Sequence, residues 1–238
     1  MKPGRRPHDF LELFRSGTWF RALPGELQER LLHAGVLREV KAGQRVVPRG
    51  GRPDGLLGLV EGSLRLSSLG LSGQEALLMF LEPPRWVGEM SLFDSVPSTL
   101  ELSAETASVL VHVPQPALEA LLQEHPVWWR EIGRLLAQHM RLALLSVEET
   151  ALLPPGVRLA RRLWLIAHHY GEWEQHSLRV IRVSQEQLAM MLSLSRQTAN
   201  QLLKGLEAQG LLRLRYGEIE LLDLDRLREL GELDRRGE

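Results

Sequence analysis

In Val183-Ser184-Gln185-Glu186-Gln187-Leu188-Ala189-Met190-Met191-Leu192-Ser193-Leu194-Ser195-Arg196-Gln197-Thr198-Ala199-Asn200-Gln201-Leu202-Leu203-Lys204-Gly205-Leu206, caps and periodicity spell out two helices and the turn between them. Ser184 stands before an apolar-periodic run with Gln187 three residues on, the pattern of a capping box, and Val183 and Leu188 flank it as a hydrophobic staple. A helix therefore starts at Ser184 and runs to Leu192, with the small Ala189 where a second helix can cross closely. Ser193-Leu194-Ser195 is a short turn, and Ser195 caps the second helix. In that helix Ala199, Leu202, Leu203 and Leu206 fall at i, i+3, i+4 and i+7, and Gly210 supplies the stop. Arg196, Gln197, Asn200, Gln201 and Lys204 make the opposite face. That face has no acidic residue, whereas an ordinary solvated helix mixes Glu with Lys. Arg can take guanine and Asn or Gln can take adenine. Leu211 to Leu222 then reads as two alternating strands joined across Tyr216-Gly217, with Arg213 and Arg215 on one face, suited to phosphates. Double-stranded DNA is the expected partner of this unit. A helical hairpin packed on a sheet with no DNA role is the plainer alternative.

The charge around this unit agrees. Residues 151–217 hold nine basic and four acidic side chains in a chain of 238 residues whose net charge is -1, a modest footprint for a polyanion. Upstream, Leu153-Pro154-Pro155-Gly156 breaks the chain and marks a domain boundary. Before it, Trp129, Ile132, Leu136, Met140, Ala143 and Val147 recur at steps of three and four along one long helix, a stripe that suits a homodimer seam; packing on the chain's own barrel is the alternative. From Val36 to Val113 short alternating strands separated by glycines and prolines predict a small β-barrel or roll. Trp19 to Leu32 reads as a short amphipathic packing helix, and the basic residues 1–18 as a flexible leader. The expected class is α+β: leader 1–18, β-roll 19–125, central dimerisation helix 126–153, and a winged helix-turn-helix over 154–238.

Composition excludes much else. With 44% apolar and 25% charged residues the chain is neither disordered, nor collagen, nor a coiled-coil rod. It has no cysteine, which removes disulfides, thiolate zinc fingers, cysteine-held iron–sulfur clusters and a cysteine nucleophile. No apolar run approaches the roughly 20 residues of a membrane span, and Met1 to Pro7 lacks a signal peptide's apolar stretch, so a cytoplasmic protein with no membrane partner is expected. No nucleophile–base pair, P-loop or metal-ligand cluster is legible, so neither an enzyme nor a metal site is expected and no cofactor is assigned. Haem would have to use a lone His112, His125 or His139, and a lone His is more often a surface or satisfied core residue. Neighbouring His168 and His169 point in different directions on a helix, which argues against a metal site with His176.

Ser184 to Leu212, above all Leu194-Ser195-Arg196-Gln197-Thr198 followed by Leu202-Leu203-Lys204-Gly205-Leu206-Glu207, resembles the winged helix-turn-helix of the cyclic-AMP receptor protein / fumarate-nitrate regulator (CRP/FNR) family. Val60-Glu61-Gly62-Ser63, Gly88-Glu89-Met90-Ser91-Leu92-Phe93 and Ala104-Glu105-Thr106-Ala107 resemble its cyclic-nucleotide-binding roll, in the same domain order. The resemblance implies a sequence-specific transcription regulator, a homodimer on a palindromic site that touches RNA polymerase through the exposed-looking loop Gly171 to His176. It gives Arg196 a base or phosphate contact and Ser195, Thr198 and Lys204 backbone contacts, counts Ser184 among the DNA-binding residues, and puts Gln197 and Gln201 where the best-known members carry Glu and Arg. Gly88 and Glu89 match the segment that receives ribose and phosphate in cyclic-nucleotide binders. Ser98 and Thr99 stand where those binders carry an Arg-Ser or Arg-Thr pair, and Ala143 and Leu144 where they carry adenine-contacting hydroxyls, with Ser146 nearby. A buried phosphate would lack its bidentate partner, which argues against cyclic AMP bound in the usual way and leaves the effector unidentified. A ligand-binding interaction module whose winged helix docks a protein is the second reading.

Overall fold

The computed structural model describes residues 4–52, 54–70, 75–94, 96–172 and 177–232. The order is a 3-10 turn Pro7–Phe10, α1 Leu11–Arg15, α2 Thr18–Arg21, α3 Gly25–Ala34, β1 Val36–Val40, β2 Arg45–Val47, β3 Gly55–Glu61, β4 Leu64–Leu69, β5 Glu75–Leu81, β6 Arg85–Val87, α4 Ser91–Asp94, β7 Glu101–Ala104, β8 Ser108–Pro114, α5 Gln115–Glu124 and the long α6 Trp129–Leu152. There follow α7 Pro155–Ala167, β9 Val180–Ile181, α8 Gln185–Met191, α9 Arg196–Ala208, β10 Leu212–Arg215, β11 Glu218–Leu221 and α10 Leu224–Glu232. The fold is α+β, a β-roll followed by a long helix and a winged helix-turn-helix. By its contacts the chain forms two units, divided within α6 after Met140, with only Glu75–Leu77 of the earlier chain grouped with the later part.

The roll is two antiparallel four-stranded sheets, ordered β1-β8-β3-β6 and β2-β7-β4-β5. Side chains alternate across a strand, so a strand with apolar layers on both faces is apolar throughout. β3 is such a strand, buried from Gly55 to Val60. Its Leu57 and Leu59 join Val40, Val46, Leu64, Leu102 and Leu110 in the core of the roll. Leu56 and Val60 face a second core, where Phe10, Phe14, Phe20, Leu27, Leu31, Trp86, Leu118 and Trp128 cover the sheet with helices.

Two expectations change here. The segment read as a flexible leader enters the fold at Pro7: Phe10 and Phe14, one helical turn apart, are both buried in this second core. Gly58 makes the room, since a Cβ there would lie 2.7 Å from the Phe14 ring and 2.9 Å from Trp86. The second concerns the stripe on α6. Ile132 is fully buried in the same core and is therefore not part of an intermolecular seam, and Trp129 packs edge-on against Phe93 at 5.4 Å. Helical periodicity marks an apolar face but does not say what covers it. Leu136 is half-buried, whereas Met140, Ala143 and Val147 are exposed, Met140 by 52% and Val147 by 66%.

In the later unit α7 and α10 pack together, and α8 and α9 cross over the buried Ala189, Ala199 and Leu203. A three-stranded sheet, β10-β11-β9, completes it. α7 ends at Ala167 and gives way to a 3-10 turn in which Tyr170 has a left-handed φ of 54°. Trp164 stacks on His168 at 4.2 Å and is a packing residue.

The C-terminal half of α6 carries a buried acid, Glu149, whose Oε1 lies 2.9 Å from Arg161 Nε and whose Oε2 lies 3.7 Å from Arg162 Nη2. Burial raises its pKa above the ordinary 4.5, and the opposing attraction of Arg162 and Arg161 does not cancel it. The folded protein thus holds this proton more tightly than the unfolded chain. Its contribution to stability is fully present below 4.5 and is lost as pH rises through the raised folded value. Denaturant unfolding of wild type and Glu149→Gln across this range should show the wild type gaining on the variant as pH falls; a difference flat in pH would contradict it.

Candidate nucleic-acid interface

The two caps read from the sequence form as expected. At the start of α8 the Gln187 amide donates to Ser184 Oγ at 3.1 Å and the Ser184 amide donates to Gln187 Oε1 at 2.8 Å. At the start of α9 the Thr198 amide donates to Ser195 Oγ at 3.0 Å, and the two hydroxyls share a further bond of 2.8 Å. The hydroxyls of Ser184, Ser195 and Thr198 thus fix helix starts. Between the helices Ser193 takes a left-handed φ of 53°, and the Leu194 amide returns to the Ala189 carbonyl at 2.9 Å.

On α9, Arg196, Gln197, Gln201 and Lys204 are exposed together. Asn200 departs from the expectation. It is half-buried, and its Oδ1 is buried without a hydrogen-bond partner. At 3.6 residues per turn it lies between Arg196 and Lys204, but with that oxygen buried its carbonyl is not presented beside its amide for a two-pronged contact with a base in the DNA-free protein. The helix's one acid, Glu207, is turned away: it accepts the Leu214 amide at 2.7 Å and so ties α9 to the first strand of the wing. The outward face is left cationic and amide-rich.

The wing hairpin pairs Arg213 with Glu220 and Arg215 with Glu218 across the strands, and Tyr216 at its tip is fully exposed. Glu220 draws in both arginines, Arg213 at 3.1 Å and Arg215 at 2.9 Å. Sequence reasoning missed Glu220 and Glu207. Counting the hairpin register back from Tyr216-Gly217 gives the first, whereas nothing local signals the second.

The candidate effector segment lies in the earlier unit. Gly88 has a φ of 106°, and a Cβ there would sit 2.4 Å from the Gly55 carbonyl oxygen, so the turn leading into Glu89 requires glycine. Glu89 is 3% exposed and its Oε1 lies 2.7 Å from Nδ1 of His139 on α6. Ser98 Oγ donates to the Leu100 carbonyl at 2.8 Å, its amide donates to the Gly51 carbonyl at 2.8 Å, and its carbonyl accepts from Gly50 at 2.7 Å. Thr99 is exposed. The histidines considered for haem have separate surroundings, His112 beside Asp54, His125 stacked on Trp128, and His139 on Glu89. Among the described residues no three His, Asp or Glu side chains are grouped to hold a metal, and no helix is long and apolar enough to cross a membrane. Trp173 and His176 lie outside the described residues.

Comparison with known proteins agrees with this layout. Residues 37–125 match the cyclic nucleotide-binding domain model and residues 157–230 the Crp-like helix-turn-helix domain model. A CRP-like cAMP-activated global transcriptional regulator of Mycobacterium tuberculosis is 27% identical over 186 residues, 78% of this chain and 83% of that one. The transcriptional regulator SdrP of Thermus thermophilus is 28% identical over 194 residues, covering 81% of this chain and 92% of its own. Among solved structures, a transcriptional regulator of the CRP/FNR family, also from Thermus thermophilus, superposes with a TM-score of 0.66 at 25% identity, over 83% of this chain and 98% of the other.

Proposed function

Since the chain belongs to the CRP/FNR family of transcription regulators and carries its helix-turn-helix DNA-binding domain, we propose that it works in the cytoplasm as a homodimer that reads a palindromic site with α9. One observation carries this reading: the outward face of α9 presents Arg196, Gln197, Gln201 and Lys204 with no exposed acid among them. Such a face repels nothing on a phosphate backbone and offers donors and acceptors to base edges. The exposed Met140, Ala143 and Val147 on α6 support the dimer. Two copies would put two recognition helices on half-sites about one helical turn apart.

The effector, if one exists, is not cyclic AMP bound in the usual way. The relative from Mycobacterium tuberculosis is described as cAMP-activated, but here Ser98 and Thr99 stand in the phosphate-pairing positions, and Ser98 spends its hydroxyl on the Leu100 carbonyl. Neither Ser98 nor Thr99 supplies the cation with which a buried phosphate would pair.

The test is to incubate the purified protein with a random pool of duplex DNA, with no added ligand, and to sequence what is retained. Enrichment of one palindrome is expected, with affinity falling steeply as salt rises. Retention independent of sequence, or salt-insensitive binding to a protein in its place, overturns the proposal. We further propose that the loop Gly171 to His176 touches RNA polymerase. Trp173→Ala is then expected to abolish activation in a reconstituted transcription assay while leaving affinity for the selected duplex intact; unchanged activation removes this contact.

A further inference from the structure

The polar groups that an effector would engage in the roll are engaged by the chain itself. Glu89 is almost wholly buried, and a carboxylate removed from water needs a donor. His139 meets that need at 2.7 Å, from a position fifty residues away on α6. A carboxylate can only accept, so a bond from His139 to a carboxylate at Glu89 is donated by Nδ1. At the far end of the same segment, Ser98 is closed onto Gly50, Gly51 and Leu100.

Apolar burial does little to hold the described residues between. Met90 is 58% exposed and Phe93 48%, Val96 is exposed as well, and Leu92 reaches the second core only half-buried. Ser91 is buried, but its hydroxyl donates to the Gly88 carbonyl at 2.9 Å, a bond within the segment that fixes it to nothing else. Phe93 reaches α6 through Trp129, at 5.4 Å. The Glu89–His139 bond is therefore the charge-assisted attachment of this segment to α6. The same helix runs on without a break to Leu152 and carries Glu149, which sits among the arginines of α7. A change at His139 thus acts on the helix that leads into the DNA-binding unit.

Resting on the reading of the chain as a DNA-binding regulator, we propose that His139 is a positioning residue that takes the place of an effector hydroxyl at Glu89, holds residues 88–94 on α6, and keeps the regulator competent for its DNA site with no small molecule bound. A bond made in only one of two arrangements shifts the population toward that arrangement by its own free energy. Here the favouring contact is covalently part of the chain.

The experiment uses the full chain and the duplex selected from the random pool. Affinity, melting temperature and hydrogen exchange over residues 89–94 are measured for wild type, His139→Ala, His139→Gln, Glu89→Gln and the Glu89→Gln/His139→Ala pair. His139→Ala is expected to weaken the selected duplex about tenfold and to speed exchange over residues 89–94. His139→Gln, whose amide can still donate to Glu89, should restore most of the affinity, and the double variant should bind no worse than the poorer single one. Equal affinity of wild type and His139→Ala with only the melting temperature lowered means a purely structural bond and overturns the proposal, as do additive losses or unchanged exchange. A wild type that retains no sequence overturns the ligand-free competence proposed here and the regulator reading with it. The two failures are distinguishable, because exchange over residues 89–94 reads the latch without DNA.

Discussion

Replacing Phe14 by alanine is expected to destabilise the roll by about 3–5 kcal/mol, the cost of deleting a buried aromatic ring and leaving part of its volume empty. The ring is fully buried, with its centroid 5.3 Å from that of Phe20 and 4.5 Å from that of Trp86, over the bare backbone of Gly58. Phe20 and Trp86 stack with an interplanar angle of 3° and Trp19 meets both edge-on, so Phe14 closes a four-ring cluster whose members lose contacts together. Denaturant unfolding followed by tryptophan fluorescence measures this directly, since Trp19, Trp86 and Trp128 share the core. The exposed Glu12 on the same short helix is the control, and Glu12→Ala should change stability by no more than about 0.5 kcal/mol. A flexible leader would make both substitutions neutral, and equal small effects would restore that reading.

Phe14 also shows where the sequence was hard to read. Phe10 and Phe14 sit a turn apart, but the segment is short, opens on basic residues and is followed by a glycine, so helical periodicity had too few repeats to register. The long elements were different. The helix-turn-helix carries its own punctuation, with a capping box at Ser184, a capping serine at Ser195 and a stop at Gly210, and each is local chemistry that tertiary packing did not override. In the roll, β3 reads as an apolar run rather than an alternating one because both of its faces are covered.

The site was legible to a lesser degree, and for a physical reason. Periodicity identifies the face of a helix but not its neighbour. On α6 it put Ile132 and Val147 in one stripe, of which Ile132 packs inside its own chain and Val147 lies exposed. On α9 it grouped Asn200 with Gln201, although the carbonyl of Asn200 is buried. Glu89 was singled out by its motif. Its partner His139 reads in the sequence as a lone histidine, since no pattern within a helix or a strand can signal a contact across fifty residues.

Truncating Gln201 to alanine is expected to relax base preference at one position of the half-site, at a cost of about 1–3 kcal/mol for the preferred sequence and little for the others. The side chain is exposed on the face of α9 that holds Gln197 and Lys204, and its amide offers both a donor and an acceptor, as a two-pronged contact with adenine requires. Lys204→Ala should behave differently. A lysine facing phosphate adds attraction without reading a base, so its loss weakens every sequence alike and lowers the slope of log affinity against log salt by about one. Asn200→Ala separates the two kinds of effect from a third. With its Oδ1 buried, its truncation should leave the selected sequence unchanged and appear in melting temperature. Repeating the selection with each variant and titrating the retained duplex at several salt concentrations distinguishes all three. If Gln201→Ala lowers affinity uniformly, the residue contacts backbone and the reading falls to Gln197 and Arg196, the remaining exposed donors on that face. If Asn200→Ala instead alters the selected sequence, its amide turns outward on DNA, and the buried Oδ1 belongs to the DNA-free protein alone.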